Sequence, residues 1–324
     1  MSVRISRNEI TSFRGDVLPI YLTDGEAVVG GAEWSVEGEC VGIKAYPSGV
    51  LATLLCEGRA TVTATLNGEK YTAEVTVTPA VTVNEGDTLK FFRADLHDHM
   101  TEVGTTEPFR ERQTEFPCDY LEQIRADGRL DMSVITDHSC LLNDELFYRG
   151  FTDTERAQPL DTVVFPGSES SMDIIVRDKY GYDRCRGGEI VILNSDSYFC
   201  VGKNGNGWDD VFENQSTSPY SIAILAHPQI IAWSPYGMYG FRLDKYNTER
   251  HRELIKYVEI GNGGIRASNE INELVYSTAL DNGFYVSTTC SSDSHGPKWG
   301  FDVFPGKTMI MAKAYAISVA MISL

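Results

Sequence analysis

Residues 93–100 read RADLHDHM and place two histidines two positions apart, between two aspartates. Side chains alternate across a strand, so Asp95, His97 and His99 are expected on one face of it. Two imidazoles on one face, one strand repeat apart, can reach a single metal ion. A pair of solvated histidines on an edge strand would fit this segment equally well. The rest of the chain therefore has to decide between the two interpretations.

The composition narrows the classes of partner. The 324 residues carry a formal net charge of −18 with a pI near 4.7, which argues against a nucleic-acid groove or an anionic membrane surface. An anionic substrate would need local fixed cations, and bound metal would supply them. No stretch approaches 18 consecutive apolar residues, and the N-terminus lacks the apolar core of a signal peptide. We therefore expect a cytoplasmic, soluble chain.

The seven cysteines are odd in number and form no Cys-x-x-Cys pair. Cys40 and Cys56 are candidates for a disulfide, but buried free thiols are the favoured interpretation. This usage indicates a reducing compartment.

The first quarter of the chain has the pattern of an all-β domain. Residues 1–82 hold short alternating runs divided by turns, and residues 60–79 read ATVTATLNGEKYTAEVTVTP, with the Asn67–Gly68 signal of a tight hairpin. Strands at this spacing, without a helical period, predict a small β-sandwich. Residues 83–90 are interpreted as a linker.

From residue 91 to residue 324 strand-like runs recur, with helix-like stretches between several of them. The predicted helices are at 118–128, 248–257 and 268–283, where apolar residues recur three and four positions apart. This alternation predicts parallel β/α units closed into a barrel. The strand-like runs are FFRADLHDH (91–99), MSVITDHS (132–139), TVVFPGSES (162–170), EIVILNS (189–195), SIAILAHP (221–228), YVEIGNGG (257–264), FYVSTTCSSDSH (284–295) and KTMIMAK (307–313).

Polar residues recur at the carboxyl ends of these runs, where parallel barrels collect their catalytic groups. Five of the six histidines lie at such ends, which favours a metal site over solvated histidines. The exception, His251, lies in a charged helical stretch and is expected on the surface. The strand-end residues are His97, His99, Asp137, His138, Glu169, His227, Asn262, Asp293 and His295.

The motifs DLHDH, ITDHS, GSES, AHP and SDSH are similar, in order and spacing, to those of the PHP (polymerase and histidinol phosphatase) superfamily. The resemblance covers residues 91–324, and the run 58–79 resembles the last hairpin of bacterial immunoglobulin-like modules. The implied fold class is multidomain: a small immunoglobulin-like sandwich followed by an α/β, distorted seven-stranded (β/α) barrel.

The resemblance implies two or three divalent ions, Zn, Mn or Fe. His97, His99, Glu169 and Asp293 would hold one ion, and Glu169 would bridge to a second that also takes His227. His138 and His295 would hold a third, if it is present. Asp137, His138 and Glu169 are the implied catalytic residues, although a strand-end cap is an equally good role for Asp137. Asp95 is expected behind the ligands rather than among them.

Two of the family's ligand positions have no match here. After His-x-His the segment 100–107 offers only Glu102 and Glu107, and the fourth strand has Val191 where relatives place a histidine. Glu189 is the best substitute there and Asn194 the next. Carboxylate in place of imidazole would shift preference toward manganese or iron over zinc. Firm occupancy is expected at the His97 position and weaker occupancy elsewhere.

Four loop residues are candidates for substrate binding: Arg110, Asn262, Arg266 and Lys298. Solvated loop charges, and for Asn262 a glycine-rich turn, are the alternative interpretation. The uncharged segment 314–324, AYAISVAMISL, is too short to span a bilayer. It is predicted to pack on the barrel or at a subunit contact.

The expected function is hydrolysis of small phosphoesters by a metal-bound hydroxide. The alternatives are hydrolysis of a carboxylic or carbamate ester at the same centre, or a binding protein whose barrel has lost activity. The expected partner is a small-molecule phosphoester, with no nucleic acid and no membrane. The N-terminal region is a candidate for contact with a protein or a glycan.

Overall fold

The computed structural model describes two regions that are built mainly from strands. The first comprises residues up to about 79 and the second begins near residue 90. The described residues are 2–99, 101–102, 112–113, 130–139, 142–157, 163–173, 186–199, 211–213, 219–228, 247–263, 266–295 and 307–313.

The N-terminal region consists of two sheets. The five-stranded sheet contains β1 (Arg4–Ile5), β3 (Val17–Asp24), β7 (Gly49–Leu54) and β6 (Val41–Tyr46) in that order, with β4 (Ala27–Val29) beside β3. The four-stranded sheet has the order β2 (Glu9–Phe13), β9 (Glu69–Thr78), β8 (Gly58–Leu66) and β5 (Glu33–Glu37).

Alternation and turn chemistry explain these strands. Asn67 and Gly68 have φ values of 52° and 83°, as a two-residue hairpin turn requires, so the predicted β8–β9 hairpin is confirmed. The alternating apolar residues of both sheets face one shared core, which includes Ile20, Val50 and Val62. The region is therefore held together by apolar burial between its two sheets.

The second region is built on an eight-stranded sheet, to which all eight predicted strand-like runs contribute a strand. Its strands are β10 (Lys90–Asp98), β13 (Met132–Ile135), β14 (Val163–Asp173), β15 (Arg186–Leu193), β16 (Ile222–Ala226), β17 (Ile255–Asn262), β18 (Ser287–Ser291) and β19 (Thr308–Ala312). Their order in the sheet is β18, β17, β16, β15, β14, β13, β10, β19. A separate pair is formed by β11 (Thr101–Glu102) and β12 (Arg112–Gln113).

The sheet curves until its two edges meet. Thr308 Oγ1 on β19 donates to the carbonyl of Cys290 on β18 and accepts from its N–H, both at 3.0 Å. The backbone N–H of Asp293 donates to the carbonyl of His97 at 2.9 Å, and the N–H of His99 donates to the carbonyl of Ser294 at 3.0 Å. These bonds bring the end of β10 beside the segment that follows β18, and the sheet is nearly closed.

The predicted fold class, an immunoglobulin-like sandwich followed by a seven-stranded (β/α) barrel, is wrong. β15 runs antiparallel to both β14 and β16, and β19 runs antiparallel to β10, so the sheet is mixed and has eight strands. Strands also predominate over helices in the part of the chain that the structure describes. The error has a physical cause: the sequence predicts no helix between the runs of β14, β15 and β16, and antiparallel neighbours need no crossover helix.

Three helices of six or more residues are present among the described residues: α1 (Asp144–Ala157), α2 (Glu249–Leu254) and α3 (Arg266–Asp281). The predicted helices at 248–257 and 268–283 are confirmed in part, since α2 ends at Leu254 and β17 follows at once. α1 was not predicted, and the predicted helix at 118–128 lies outside the described residues.

The prediction that His251 lies on the surface is also wrong, because its side chain is buried. Its ring Nδ1 lies 3.3 Å from the backbone N of Thr248, and its own N–H donates to Thr248 Oγ1, which forms a capping box at the start of α2. A histidine in a charged stretch is thus buried by its role in the helix cap.

The two regions meet at α1. Tyr148 is fully buried, stacks on Tyr46 with ring centroids 5.4 Å apart and donates its hydroxyl to the carbonyl of Ile20 at 2.9 Å. Tyr220 donates to the carbonyl of Leu55 at 2.6 Å. The N-terminal sheets are therefore packed directly against the second region.

No helix in the described ranges is long and apolar enough to cross a membrane. Cys40 and Cys56 are both free, the first buried and the second exposed. The C-terminal segment 314–324 lies outside the described residues, so its predicted packing stays a prediction.

Candidate metal centre

The strand ends of the second region bring nine titratable side chains into one cluster, most of them buried. β10 carries His97 and is followed by His99, β14 carries Glu169, and His227 follows β16 directly. Four groups of three could hold a metal ion, the ligand atoms of each lying within 4.8 Å of one another. All eight predicted ligands belong to at least one group: His97, His99, His138, Glu169, Glu189, His227, Asp293 and His295.

Glu169 lies at the centre of this cluster and is fully buried. Its Oε1 lies 3.3 Å from His97 Nε2 and 3.2 Å from His227 Nε2. Its Oε2 lies 3.5 Å from His99 Nε2 and 2.8 Å from His138 Nδ1. Each carboxylate oxygen therefore faces a different pair of imidazoles, so Glu169 lies between several potential ligands.

Asp293 and His295 complete the cluster from the segment after β18. Asp293 Oδ1 lies 3.1 Å from His99 Nε2 and 3.5 Å from His97 Nε2. His295 Nε2 lies 3.2 Å from His138 Nε2, and its ring stacks on that of His99 with centroids 4.0 Å apart. His99, His138 and His295 thus form an all-imidazole group beside the carboxylates.

Glu189 enters the cluster because β15 is antiparallel. In that orientation the beginning of β15, where Glu189 pairs with Ala226, lies at the same edge as the end of β16. Glu189 Oε2 lies 3.3 Å from His227 Nε2, and Glu189 forms a potential metal group with His138 and Glu169. Asn194, the other candidate substitute, lies at the far end of β15 and donates to the carbonyls of Gly15 and Tyr220.

Glu259 on β17 is a member of the cluster that sequence reasoning missed. It is fully buried, with its two oxygens 3.3 and 3.4 Å from His97 Nδ1, and it accepts a 2.7 Å hydrogen bond from the N–H of His227. An ionisable residue inside the apolar run YVEIGN was the available signal, because carboxylates are rarely fully buried without a partner.

Several ligand atoms of the cluster lie close together without being aligned as hydrogen bonds, although His227 Nε2 and Glu169 Oε1 do form one at 3.2 Å. Among the described residues, Glu169 Oε2, Asp293 Oδ1 and His138 Nδ1 are buried and make no hydrogen bond with acceptable geometry, although Glu169 Oε2 and His138 Nδ1 are 2.8 Å apart. Buried polar atoms left in this way are costly. Lone pairs that converge without bonding one another fit a divalent ion, so these residues suit a metal.

The pKa shifts within the cluster also fit a bound cation. Burial opposes protonation of His97 and His227, but the neighbouring carboxylates outweigh it and raise the pKa of His97 well above its usual value and that of His227 to about 10. The pKa of Glu169 is lowered despite burial, chiefly by His97. In the described chain, the ion pairs of Glu169 and Asp293 are all with histidines. The carboxylates of this cluster therefore favour positive charge beside them.

His295 behaves differently from the other rings. Burial, followed by the neighbouring His99, lowers the pKa of His295 to about 4, so its ring is neutral at pH 7. Its side chain is 32% exposed, and those of His138 and Asp293 are 17% and 18% exposed, whereas those of His97 and Glu169 are 1% and 0% exposed. The cluster is therefore open to solvent on the side of His138, Asp293 and His295.

Two members of the cluster have unusual backbone conformations. His227 has a φ of 22° and Asp293 a φ of 50°, in the left-handed region that L-residues rarely adopt. Such conformations cost about 1–3 kcal/mol each and persist where the surrounding structure enforces them. Here they turn each side chain into the cluster as its strand ends.

The remaining predicted residues lie as follows. Asp95 is buried and accepts hydrogen bonds from the N–H groups of Ser292 and His97, so it supports the loop and belongs to none of the potential metal groups. Asp137 is buried next to the cluster. Asn262 donates to Glu259 at 3.0 Å and to Asp293 at 3.1 Å. Arg110, Lys298 and Glu107, and the side chains of Arg266 and Glu102, lie outside what the structure describes.

Comparisons with known proteins leave the family open. No family model matches the chain, and no curated protein matches it. Among solved structures it shows a partial likeness to amylomaltase from Corynebacterium glutamicum, with 13% sequence identity and a TM-score of 0.16. The match covers 40% of this chain and 21% of the amylomaltase chain, so this chain matches about a fifth of the length of amylomaltase. A TM-score this low carries no argument about fold or function.

Proposed function

We propose that this chain is a metal-dependent hydrolase of small phosphoesters. The observation that carries the proposal is the position of Glu169, a buried carboxylate with each oxygen facing two imidazole nitrogens. The motifs similar to those of the PHP superfamily add to it, independently of the fold. Imidazole with carboxylate donors suits zinc, manganese and iron.

Different residues of the cluster would hold the ions and face the substrate. Glu169 would bridge two ions, one held with His97, His99 and Asp293 and the other with His227 and Glu189. When bound, such a pair of ions activates a water molecule and stabilises the charge that develops on phosphoryl oxygens. The buried residues form the floor of the site. Substrate would approach the open side, where His138, Asp293 and His295 are partly exposed.

The acidic character of the chain agrees with a metal-based site. With a net charge of −18 the protein would repel a phosphate monoester, and the cluster itself contains the carboxylates Glu169, Glu189, Glu259 and Asp293. Bound divalent cations would reverse the local charge and attract the anion.

The test compares wild-type protein with Glu169→Gln and with Glu253→Gln, a matched substitution at an exposed position of α2. We expect wild type and Glu253→Gln to carry zinc, manganese or iron by elemental analysis and to hydrolyse an aryl phosphate. Glu169→Gln should lose most of its metal and its activity while its circular dichroism stays unchanged.

The outcomes separate the proposals. Full metal content and activity in Glu169→Gln would contradict the bridging role. Hydrolysis of an aryl carboxylic ester but not of the phosphate would contradict the assigned substrate class. A wild-type protein that binds metal but hydrolyses neither substrate would contradict the hydrolase proposal and leave the metal site intact.

A further inference from the structure

We infer that Glu259 is a positioning residue of the metal centre: it holds His97 with its proton on Nδ1, so that Nε2 is presented to the ion, and it fixes the backbone of His227 through the same carboxylate. This inference rests on the proposed metal-dependent function. It extends that proposal to a residue outside the predicted ligand set.

The two ring nitrogens of His97 have different neighbours. Nδ1 faces both oxygens of Glu259, at 3.3 and 3.4 Å, while Nε2 faces Glu169, Asp293 and His99 at 3.2–3.5 Å. An ionised carboxylate only accepts hydrogen bonds, so Nδ1 must carry a proton. The lone pair of the neutral ring is then on Nε2, the nitrogen that points into the cluster.

Glu259 is better suited to this role than to direct metal binding, although it lies close enough to His97 and His227 to form a potential metal group. Its Oε2 already accepts from the N–H of His227 at 2.7 Å and from Asn262 Nδ2 at 3.0 Å. The Nε2 atoms of His97 and His227 converge instead on Glu169 Oε1. Glu259 therefore lies behind the rings, relative to the point where their nitrogens meet.

The same carboxylate supports a strained backbone. His227 has its unusual φ of 22° at the residue whose N–H donates to Glu259. Asn262 extends the connection, because its Nδ2 also donates to Asp293 Oδ2 at 3.1 Å. One buried glutamate on β17 thus joins ligands that come from β10, from the end of β16 and from the segment after β18.

Replacing Glu259 by Gln tests this role without changing the size of the side chain. Gln has one acceptor oxygen and one NH₂ donor. If the oxygen stays with the N–H of His227 and with Asn262, the NH₂ faces His97 Nδ1 and favours the tautomer with the proton on Nε2. That tautomer cannot bind a metal through Nε2.

The experiment titrates metal-free, full-length protein with Zn²⁺ and with Mn²⁺ in competition with a chelator. It compares wild type, Glu259→Gln and the exposed control Glu253→Gln, and circular dichroism checks the fold. We expect Glu259→Gln to bind about 10- to 100-fold more weakly, as is typical when a partner behind a metal-binding histidine is lost, and the control to match wild type. Nitrogen-15 NMR of the zinc-loaded wild type should show His97 bound through Nε2 with a proton on Nδ1.

Affinity within about twofold of wild type in folded Glu259→Gln would overturn the inference, as would wild-type His97 bound to zinc through Nδ1. If Glu259→Gln does not fold, the wild-type NMR measurement alone decides. Both readouts measure binding, so metal binding without phosphoester hydrolysis would overturn the proposed function and leave the role of Glu259 standing. A wild type that binds neither ion would overturn both.

Discussion

At the scale of single residues, Glu189 sets the chemical character of one side of the cluster. It supplies a carboxylate oxygen 3.3 Å from His227 Nε2, at a place where an imidazole would make the donor set softer. Hard oxygen donors favour manganese over zinc relative to a nitrogen donor.

We therefore expect Glu189→His to raise the preference of the protein for Zn²⁺ over Mn²⁺, and Glu189→Ala to weaken the binding of both ions. The measurement is competitive metal loading followed by elemental analysis, with Glu253→Ala as the exposed control. A Zn²⁺ to Mn²⁺ ratio that is identical in Glu189→His and wild type would show that Glu189 is not a ligand.

At the scale of elements, the turn that joins β2 to β3 contains a buried acid. Asp16 accepts hydrogen bonds from Ser12 Oγ and from the N–H of Phe13, but burial outweighs them and raises its pKa from 3.8 to about 6. Because the folded-state pKa is above the unfolded value, this group stabilises the fold fully below pH 4. That contribution is lost as the pH rises through 6.

Asp16→Asn removes this titration and nearly conserves the shape of the side chain. We expect the free energy of unfolding of wild type, relative to Asp16→Asn, to fall by roughly 2–3 kcal/mol between pH 4 and pH 8, from about 1.4 kcal/mol for each unit of pKa change. Urea unfolding at a series of pH values measures this difference. A difference that does not depend on pH would contradict the raised pKa.

At the scale of the whole molecule, Tyr148 connects α1 to the N-terminal sheets. Its hydroxyl reaches the carbonyls of Ile20 and Val50 at 2.9 and 3.4 Å. A Cβ added at Gly49 would lie 2.0 Å from the same hydroxyl, so the glycine permits this close approach. The junction between the two regions is thus closely packed and hydrogen-bonded.

Tyr148→Phe should lower the free energy of unfolding by about 1–3 kcal/mol, because it leaves buried carbonyl groups without this donor. Tyr285→Phe, at a side chain that is 90% exposed, should change it by less than about 0.5 kcal/mol. Denaturant unfolding measures both variants. Equal stability of the two would mean that the hydroxyl contributes nothing to the junction.

The local features of this protein follow from its sequence. Apolar strand-like runs located all eight strands of the large sheet, Asn67–Gly68 predicted the hairpin turn, and the three- and four-residue spacing before Gly283 predicted α3. The residues His97, His99, Glu169 and His227 were predicted as neighbours from their places at strand ends. These signals are local because they depend on side-chain direction within a single element.

The direction and pairing of the strands were decided only by the tertiary structure. An apolar run such as EIVILNS is compatible with parallel or antiparallel neighbours, since its burial is the same in both. Because β15 is antiparallel, Glu189 lies in the cluster of histidines and carboxylates, and Asn194 lies at the opposite end, where it donates to the carbonyl of Gly15. Glu259 was missed for the same reason: its partners, His97 and His227, lie 162 and 32 residues away in sequence. The periodicity of a sequence predicts which residues are buried. Which buried residues contact one another depends on how strands distant in sequence pair.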